Sequence, residues 1–507
     1  MLTGTKGRLV VALAIFILAG MALGAGLGSR SYSSPDEKRY IQSAYEMAES
    51  GDWITPRYHN RPRFQKPILF YWLSASSVSL FGKTWLAARI PSVIFGAGSV
   101  LLTFLLGASL FNKRAGLFSA ALLPISWVFF LYSRLSTPDM ATLFFITLSM
   151  YLFLKIRAVK TSKFVEYSFF AALGLAALTK GLAGLLIPVI VIGIFIIAHR
   201  REELPNKVNI PLGIVLTLLI ALPWFFVMYK THGSAYIDHI WKVETVNRAR
   251  NIFTGGGSAA IGAIRGILRY ICLTFIIFFP ASILIPGAAA GRSNMRGWQK
   301  GRLLIIAWIT AVIVFYALIG AGKTHYLLAM APAVALLLGE YLSAFTENKG
   351  HALLFYLPVA AVIIFYCVGF AGSLYIMKYL LDIKPPFWCH LLVLAPIASA
   401  FVVLRGGRFR AAQAFIASSM FVLIFMFAFA LPALNEDNGL ISITDKVLSL
   451  YNEGDVVGIG SHFISHNRVD AYLDMSVKKI NVDLYNVAEQ LTTSRAILRN
   501  FLEREEK

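Results

Sequence analysis

The sequence predicts an all-α polytopic membrane protein, with about thirteen transmembrane helices and a small α/β domain outside the membrane at the C-terminal end. Of 507 residues, 57% are hydrophobic and 14% charged, with a mean hydropathy of +0.68. That is more apolar surface than a single soluble core can bury. The apolar residues fall in runs long enough to cross about 30 Å of hydrocarbon. The Lys and Arg residues behind the net charge of +21 sit in short clusters between those runs, where they hold loops on the cytoplasmic side. The charge therefore reads as topology and attraction to anionic headgroups, not as a nucleic-acid footprint.

The first run, Leu9 to about Leu27, follows the basic residues Lys6 and Arg8 and reads as an uncleaved first helix. A long polar and aromatic stretch, Ser34 to Trp72, comes next. Ser34, Pro35 and Glu37 fit a capping box with proline at the first helical position, and Gly51 fits a stop, so a helix is expected over 35–50. Further spans are expected at Trp85–Phe111, Ala115–Ser133, Met140–Ile156, Phe164–Leu178, Leu182–Ala198 and Ile210–Tyr229. Others follow at Ile264–Ala289, Leu303–Gly320, Tyr326–Phe345, Leu353–Met377, Phe387–Leu404 and Ala411–Leu431.

With the N-terminus inside, every cytoplasmic loop is basic, from Lys113 and Arg114 to Arg405, Arg408 and Arg410. An odd number of spans leaves the tail outside. The chain then divides into a membrane domain, 1–434, with its first outside loop at 29–84, and a tail domain, 435–507. In the tail, Ile441–Tyr451 and Val487–Glu503 read as helices, Asp455–Gly460 and Lys479–Val482 as strands. The cysteines Cys272, Cys367 and Cys389 lie in or beside apolar runs with no ligand or redox spacing.

The outside face collects the residues suited to chemistry. Asp36 and Tyr40 share a face of the first-loop helix. Asp36 and Glu37 also suit the helix dipole, and Asp139 in RLSTPDM suits a helix start, so spacing leaves both the bland and the catalytic account open. Lys66, Lys180 in LTKG, Arg248 in VETVNR, and Lys323 with His325 in GAGKTHY all fall on outside loops, against the positive-inside bias. Each alone suits a snorkelling or headgroup role. Together, beside one or two acids, they suit a site for a phosphate at the membrane surface.

The ordered set DEKRY, SGDW, QKPILFYW, SRLSTPDM, LTKG, ALPW, VETVNR and GAGKTHYLLAMAPA resembles the bacterial GT-C glycosyltransferases. The resemblance is to the aminoarabinose transferase group that modifies lipid A, with protein O-mannosyltransferases as distant relatives. It runs from the first loop to Pro332. It implies a GT-C fold in a bacterial inner membrane and an inverting transfer, on the periplasmic face, of a sugar from an undecaprenyl-phosphate donor. The acceptor would be lipid A, another glycan or a protein, with membrane lipids as the remaining partner and no nucleic acid.

By the same resemblance, Asp36 is the catalytic base or acceptor-orienting acid and Asp139 a supporting acid. Lys66, Arg248, Arg63 and Lys180 hold the donor phosphate, while Glu37, Tyr40, Lys323, His325 and Tyr326 belong to the pocket. Two positions depart from the group's pattern. Gln65 stands where a Glu is usual and Thr245 where a His precedes the Arg. Both strong donors for a divalent metal are lost together, so no cofactor is expected, a metal held instead through Asp36, Glu37 or His59 being the alternative, and the sugar need not be aminoarabinose. A lipid-linked glycan flippase is the alternative class. Such transporters place polar or broken-helix features near mid-membrane and repeat their halves, whereas these charges gather at outer helix ends.

Overall fold

The computed structural model describes residues 5–28, 34–157, 162–198, 208–240, 259–290, 296–319, 323–347, 352–375 and 394–430. The proposed C-terminal domain, Arg248 and Thr245 lie outside the described residues. Apart from one hairpin the described chain is helical. The first helix is α1 (Thr5–Gly24), and the first loop builds α2 (Pro35–Ser50), the hairpin strands β1 (Arg57–Tyr58) and β2 (Arg61–Pro62), and α3 (Leu69–Phe81). The bundle continues with α4 (Trp85–Leu110), α5 (Lys113–Leu122), α6 (Trp127–Tyr132), α7 (Asp139–Ile156), α8 (Lys163–Lys180), α9 (Leu182–Ala198) and α10 (Ile210–Asp238).

Among the described residues, seven helices are long and apolar enough to cross a membrane. An eighth span results if Ile264–Ile277 and Ala281–Ala290, which meet at a bend of 110°, are taken as one. Several expected spans are shorter or broken, and two of the breaks fall at prolines. Ala115–Ser133 is divided into α5 and α6 around Pro124, and the bend in Ile264–Ala289 falls at Pro280. Proline brings no N–H to the helical ladder, and its ring crowds the preceding turn. The expected helix Tyr326–Phe345 begins as a 3-10 turn, Thr324–Met330, and becomes α-helical at Ala331, with Pro332 in its first turn.

Burial sorts centre from periphery. The span Thr324–Thr346 is 89% buried within the protein, whereas Ile210–Asp238 is 22% buried and turns its apolar side chains outward. Backbones approach closely where side chains are small: a Cβ on Gly107 of α4 would lie 2.7 Å from Gly116 Cα of α5. Such contacts replace the hydrophobic drive that is missing between helices in lipid. A second apolar cluster joins the first loop to the bundle through Tyr40, Ile41 and Ala44 of α2, Phe70 and Tyr71 of α3, and Trp224 and Met228 of α10. Each large side chain fully buried from water there contributes roughly 1.5–3 kcal/mol.

Candidate active site

Local rules fix α2 first. Ser34 is extended, and its Oγ accepts a hydrogen bond from the Glu37 backbone N–H at 3.2 Å. Gly51 ends the helix at φ 69°, donating to Met47 O, a conformation that costs glycine nothing. The apolar face of α2 turns to α3 and α4, which leaves Asp36, Arg39 and Tyr40 lining a cavity.

The hairpin builds the adjoining wall. His59 and Asn60 both have positive φ, 52° and 58°, the two-residue turn that matches strand twist. Glu46 on α2 caps it, accepting from His59 N at 2.8 Å and Asn60 N at 3.0 Å. Arg57 pairs with Pro62 and Tyr58 with Arg61, and Arg63 N then donates to Pro56 O at 2.8 Å. This brings Tyr58, Arg61 and Arg63 to the cavity. Arg63 is buried, with Nε donating to Tyr71 OH at 2.8 Å and its guanidinium 5.0 Å from the centre of the Tyr40 ring.

The bundle supplies the opposite wall. Asp139 is the first residue of α7, following Pro138, and Lys180 is the last of α8. Lys180 Nζ lies 2.5 Å from Asp139 Oδ1, and His325 Nε2 lies 4.0 Å from the same oxygen. Lys180 also sits 4.9 Å from the Tyr326 ring, which stacks on Tyr316, while His325 stacks on Tyr132. Lys323 crosses the space between the walls, its Nζ 2.8 Å from Asp36 Oδ2, with Arg39 Nη1 3.1 Å from Oδ1. The cavity so enclosed has a volume of about 780 Å³.

Electrostatics distinguish the two acids by surroundings. Burial pushes the Asp36 carboxyl up, but the hydrogen bond and charge of Lys323, with Arg39 and Arg63, outweigh it and hold the group below the usual carboxylate range. Asp36 keeps 41% of its side chain exposed and Asp139 keeps 8%. Asp36 is therefore the acid an incoming group reaches.

Of the residues expected at the site, Asp36, Tyr40, Arg63, Lys66, Asp139, Lys180, Lys323, His325 and Tyr326 all line this one cavity, joined by Gln65. Glu37 does not. It is fully buried and paired with Arg89, because the first-turn position that suits a cap also points into α4. Sequence reasoning missed Arg39, Tyr58, Arg61, Tyr132 and Thr137. Arg39 had a signal in its i,i+3 spacing from Asp36. Among the described residues, no three His, Cys, Asp or Glu side chains converge as metal ligands.

The described fold is that of a multi-pass helical membrane protein, and its sequence resembles the aminoarabinose transferase group, as the ordered motifs imply. Residues 65–226 match the family described as dolichyl-phosphate-mannose-protein mannosyltransferase. The chain is 30% identical over 348 residues to the undecaprenyl phosphate-alpha-4-amino-4-deoxy-L-arabinose arabinosyl transferase of Serratia proteamaculans, covering 66% of this chain and 59% of that protein. With the corresponding transferase of Aeromonas hydrophila it shares 29% identity, over 64% of this chain and 59% of the relative. An uncharacterized protein of Aquifex aeolicus is 29% identical over 62% of this chain and 68% of its own length. The matched region thus spans less than two thirds of the named transferases. The crystal structure of ArnT from Cupriavidus metallidurans bound to undecaprenyl phosphate superposes with a TM-score of 0.71 at 20% identity, over 93% of this chain and 85% of that one. That likeness is one of fold.

Proposed function

We propose that the protein transfers a sugar from an undecaprenyl-phosphate-linked donor to a hydroxyl or phosphate oxygen of lipid A, another glycan or a protein, on the periplasmic face of a bacterial inner membrane. One observation carries the reading: a single cavity holds two carboxylates among the cations Arg63, Lys66, Lys180 and Lys323. The named relatives use an undecaprenyl phosphate donor, and the matched structure holds that lipid phosphate. A polyprenyl tail can stay in the bilayer, so no nucleotide-sugar domain is needed.

The acceptor oxygen attacks the anomeric carbon opposite the phosphate, the carbon–phosphate oxygen bond breaks, and the phosphate leaves with the electron pair. Its growing charge is met by Lys66 and Arg63 more than by a proton; the resemblance adds Arg248, which lies outside the described residues. Asp36 orients the acceptor and takes its proton. A carboxylate held below its ordinary range is a weak base; it accepts the proton late, once bond formation has acidified the oxygen. Asp139, locked to Lys180, fixes that lysine at the back of the cavity.

This chemistry runs here without a metal. The cavity presents Gln65 as a neutral amide, while Asp36 and Asp139 each end on a lysine, a donor set that does not fit a divalent cation. Full activity is expected after exhaustive chelation of the purified protein; a loss with EDTA that zinc or magnesium restores would overturn this point. The function itself is tested by comparing mass spectra of lipid A and of periplasmic proteins from cells with and without the gene. A pentose- or hexose-sized mass that disappears with the gene supports the transfer, and no difference in glycans, lipids or proteins refutes it.

A further inference from the structure

We propose that Glu37, Arg89 and Ser92 are positioning residues that set the separation of Asp36 and Asp139 by gripping one peptide unit. The proposal rests on the reading of the cavity as a transferase site and concerns residues outside its lining. Glu37 directly follows Asp36, and its carboxylate is fully buried. Arg89 of α4, also buried, holds it by a two-pronged contact, Nε to Oε1 at 2.8 Å and Nη2 to Oε2 at 3.2 Å. The same Oε1 accepts the backbone N–H of Ser136 at 3.1 Å. One turn along α4, Ser92 Oγ donates to Leu135 O at 2.6 Å.

Leu135 C=O and Ser136 N–H are the two polar ends of a single peptide group, three residues before Asp139. That group is therefore held at both ends, by α2 through Glu37 and by α4 through Ser92. Arg89 also donates from Nη1 to Leu27 O at 2.9 Å, which ties the ion pair to the chain just beyond α1. A peptide plane fixed at both ends cannot rotate about its own axis without losing a hydrogen bond, so the turn into α7 and the carboxylate it carries are registered against α2. A buried ion pair adds little net stability beside a well-packed apolar substitute, and a role in specifying geometry is the better account of its presence. Misplacement by about 1 Å can cost on the order of a hundredfold in rate.

The test uses full-length protein carrying Glu37→Gln, Ser92→Ala and both together. Ser92→Ala removes one hydroxyl and no charge, so it decides the matter even where Glu37→Gln fails to fold. With a defined lipid-linked sugar, each single variant is expected to lower kcat, Glu37→Gln by tenfold or more and Ser92→Ala severalfold, with the donor KM unchanged. The double variant is expected to fall little below Glu37→Gln, because both act on one peptide. A second readout needs no activity. Thr137→Cys, at the cavity wall, is labelled with a small thiol reagent and the site is read by peptide mass mapping. Its labelling rate is expected to rise severalfold when Ser92→Ala or Glu37→Gln is added. Unchanged labelling in folded variants overturns the grip whether or not the protein proves to be a transferase. Faster labelling with kcat within twofold of the parent, or a loss carried by donor KM, overturns its role in positioning.

Discussion

Asp36 and Asp139 both end on lysines, yet only Asp36 stands at a wet surface, and both lysines come from far along the chain. Lys180 is 41 residues from Asp139 and Lys323 is 287 residues from Asp36. Motif order could bring these residues under suspicion one by one; only folding pairs them, because no spacing rule operates over such distances. Glu37 shows the converse, since its cap-like position was legible while its buried partner on α4 was not. Asp36→Asn is expected to abolish transfer in a folded protein, since an amide cannot take the acceptor proton. Lys66→Ala, by contrast, is expected to weaken donor binding as well as turnover, since the donor phosphate is already charged in the ground state. Steady-state kinetics with a defined lipid-linked sugar separate the two, and wild-type turnover in Asp36→Asn removes the base assignment. The pH dependence follows from the Asp36 environment. Its depressed carboxyl keeps its charged contacts above the ordinary carboxylate range and loses them as pH falls through the lowered value. Without Lys323, burial is opposed by Arg39 and Arg63 alone, so the carboxyl titrates at higher pH. Lys323→Gln is accordingly expected to move the acid limb of kcat/KM upward; an unmoved limb breaks the link between these two residues.

The hairpin at 57–62 and the broken spans mark where reading elements from sequence stops. His59–Asn60 lacks the glycine that usually announces a two-residue turn, and each strand is two residues long, too short for any alternation. The turn closes because Glu46, nearly three helical turns from the cavity-facing Asp36, supplies both acceptors. The broken spans had visible prolines in Pro124 and Pro280, but hydropathy averages over them and reads one helix. By contrast α2 was legible from end to end, since its start and stop are written in adjacent residues. Glu46→Ala is expected to leave the bundle intact and to loosen the hairpin by about 1 kcal/mol, two part-exposed donors being returned to water. Because β2 leads directly into Arg63, the donor KM is expected to rise severalfold. Hydrogen exchange at residues 57–63 together with donor kinetics checks this, and unchanged exchange would show that Glu46 does not hold the turn.

At the scale of the whole molecule, the positive-inside pattern of the sequence makes the periplasmic side the expected place of the cavity. Cysteines placed beside Asp36, Lys66, Asp139 and Lys180 are expected to react with a membrane-impermeant thiol reagent from the periplasm. Labelling confined to the cytoplasm would defeat the proposed face. The described residues bear out the helical membrane class and the first-loop helix, while the tail 435–507 stays an expectation from composition. One feature of the bundle reaches beyond the protein. The helix Ile210–Asp238 has 29 residues but changes course at Gly233, where φ 58° and ψ −138° are not helical; its straight part, 210–232, runs roughly 34 Å, a little more than the hydrocarbon thickness of about 30 Å. Its second half carries the first loop: Trp224 Nε1 donates to Ile54 O, His232 Nε2 bonds Thr55 Oγ1, and, past the kink, Tyr236 packs on Phe64, between the cavity residues Arg63 and Gln65. The loop thus stands on a post that crosses the lipid, and hydrophobic mismatch is expected to act on the height of the candidate site. Acyl chains that are too long or too short are expected to tilt that post, so turnover is expected to differ between membranes that differ only in thickness, and equal turnover in thin and thick bilayers breaks the link.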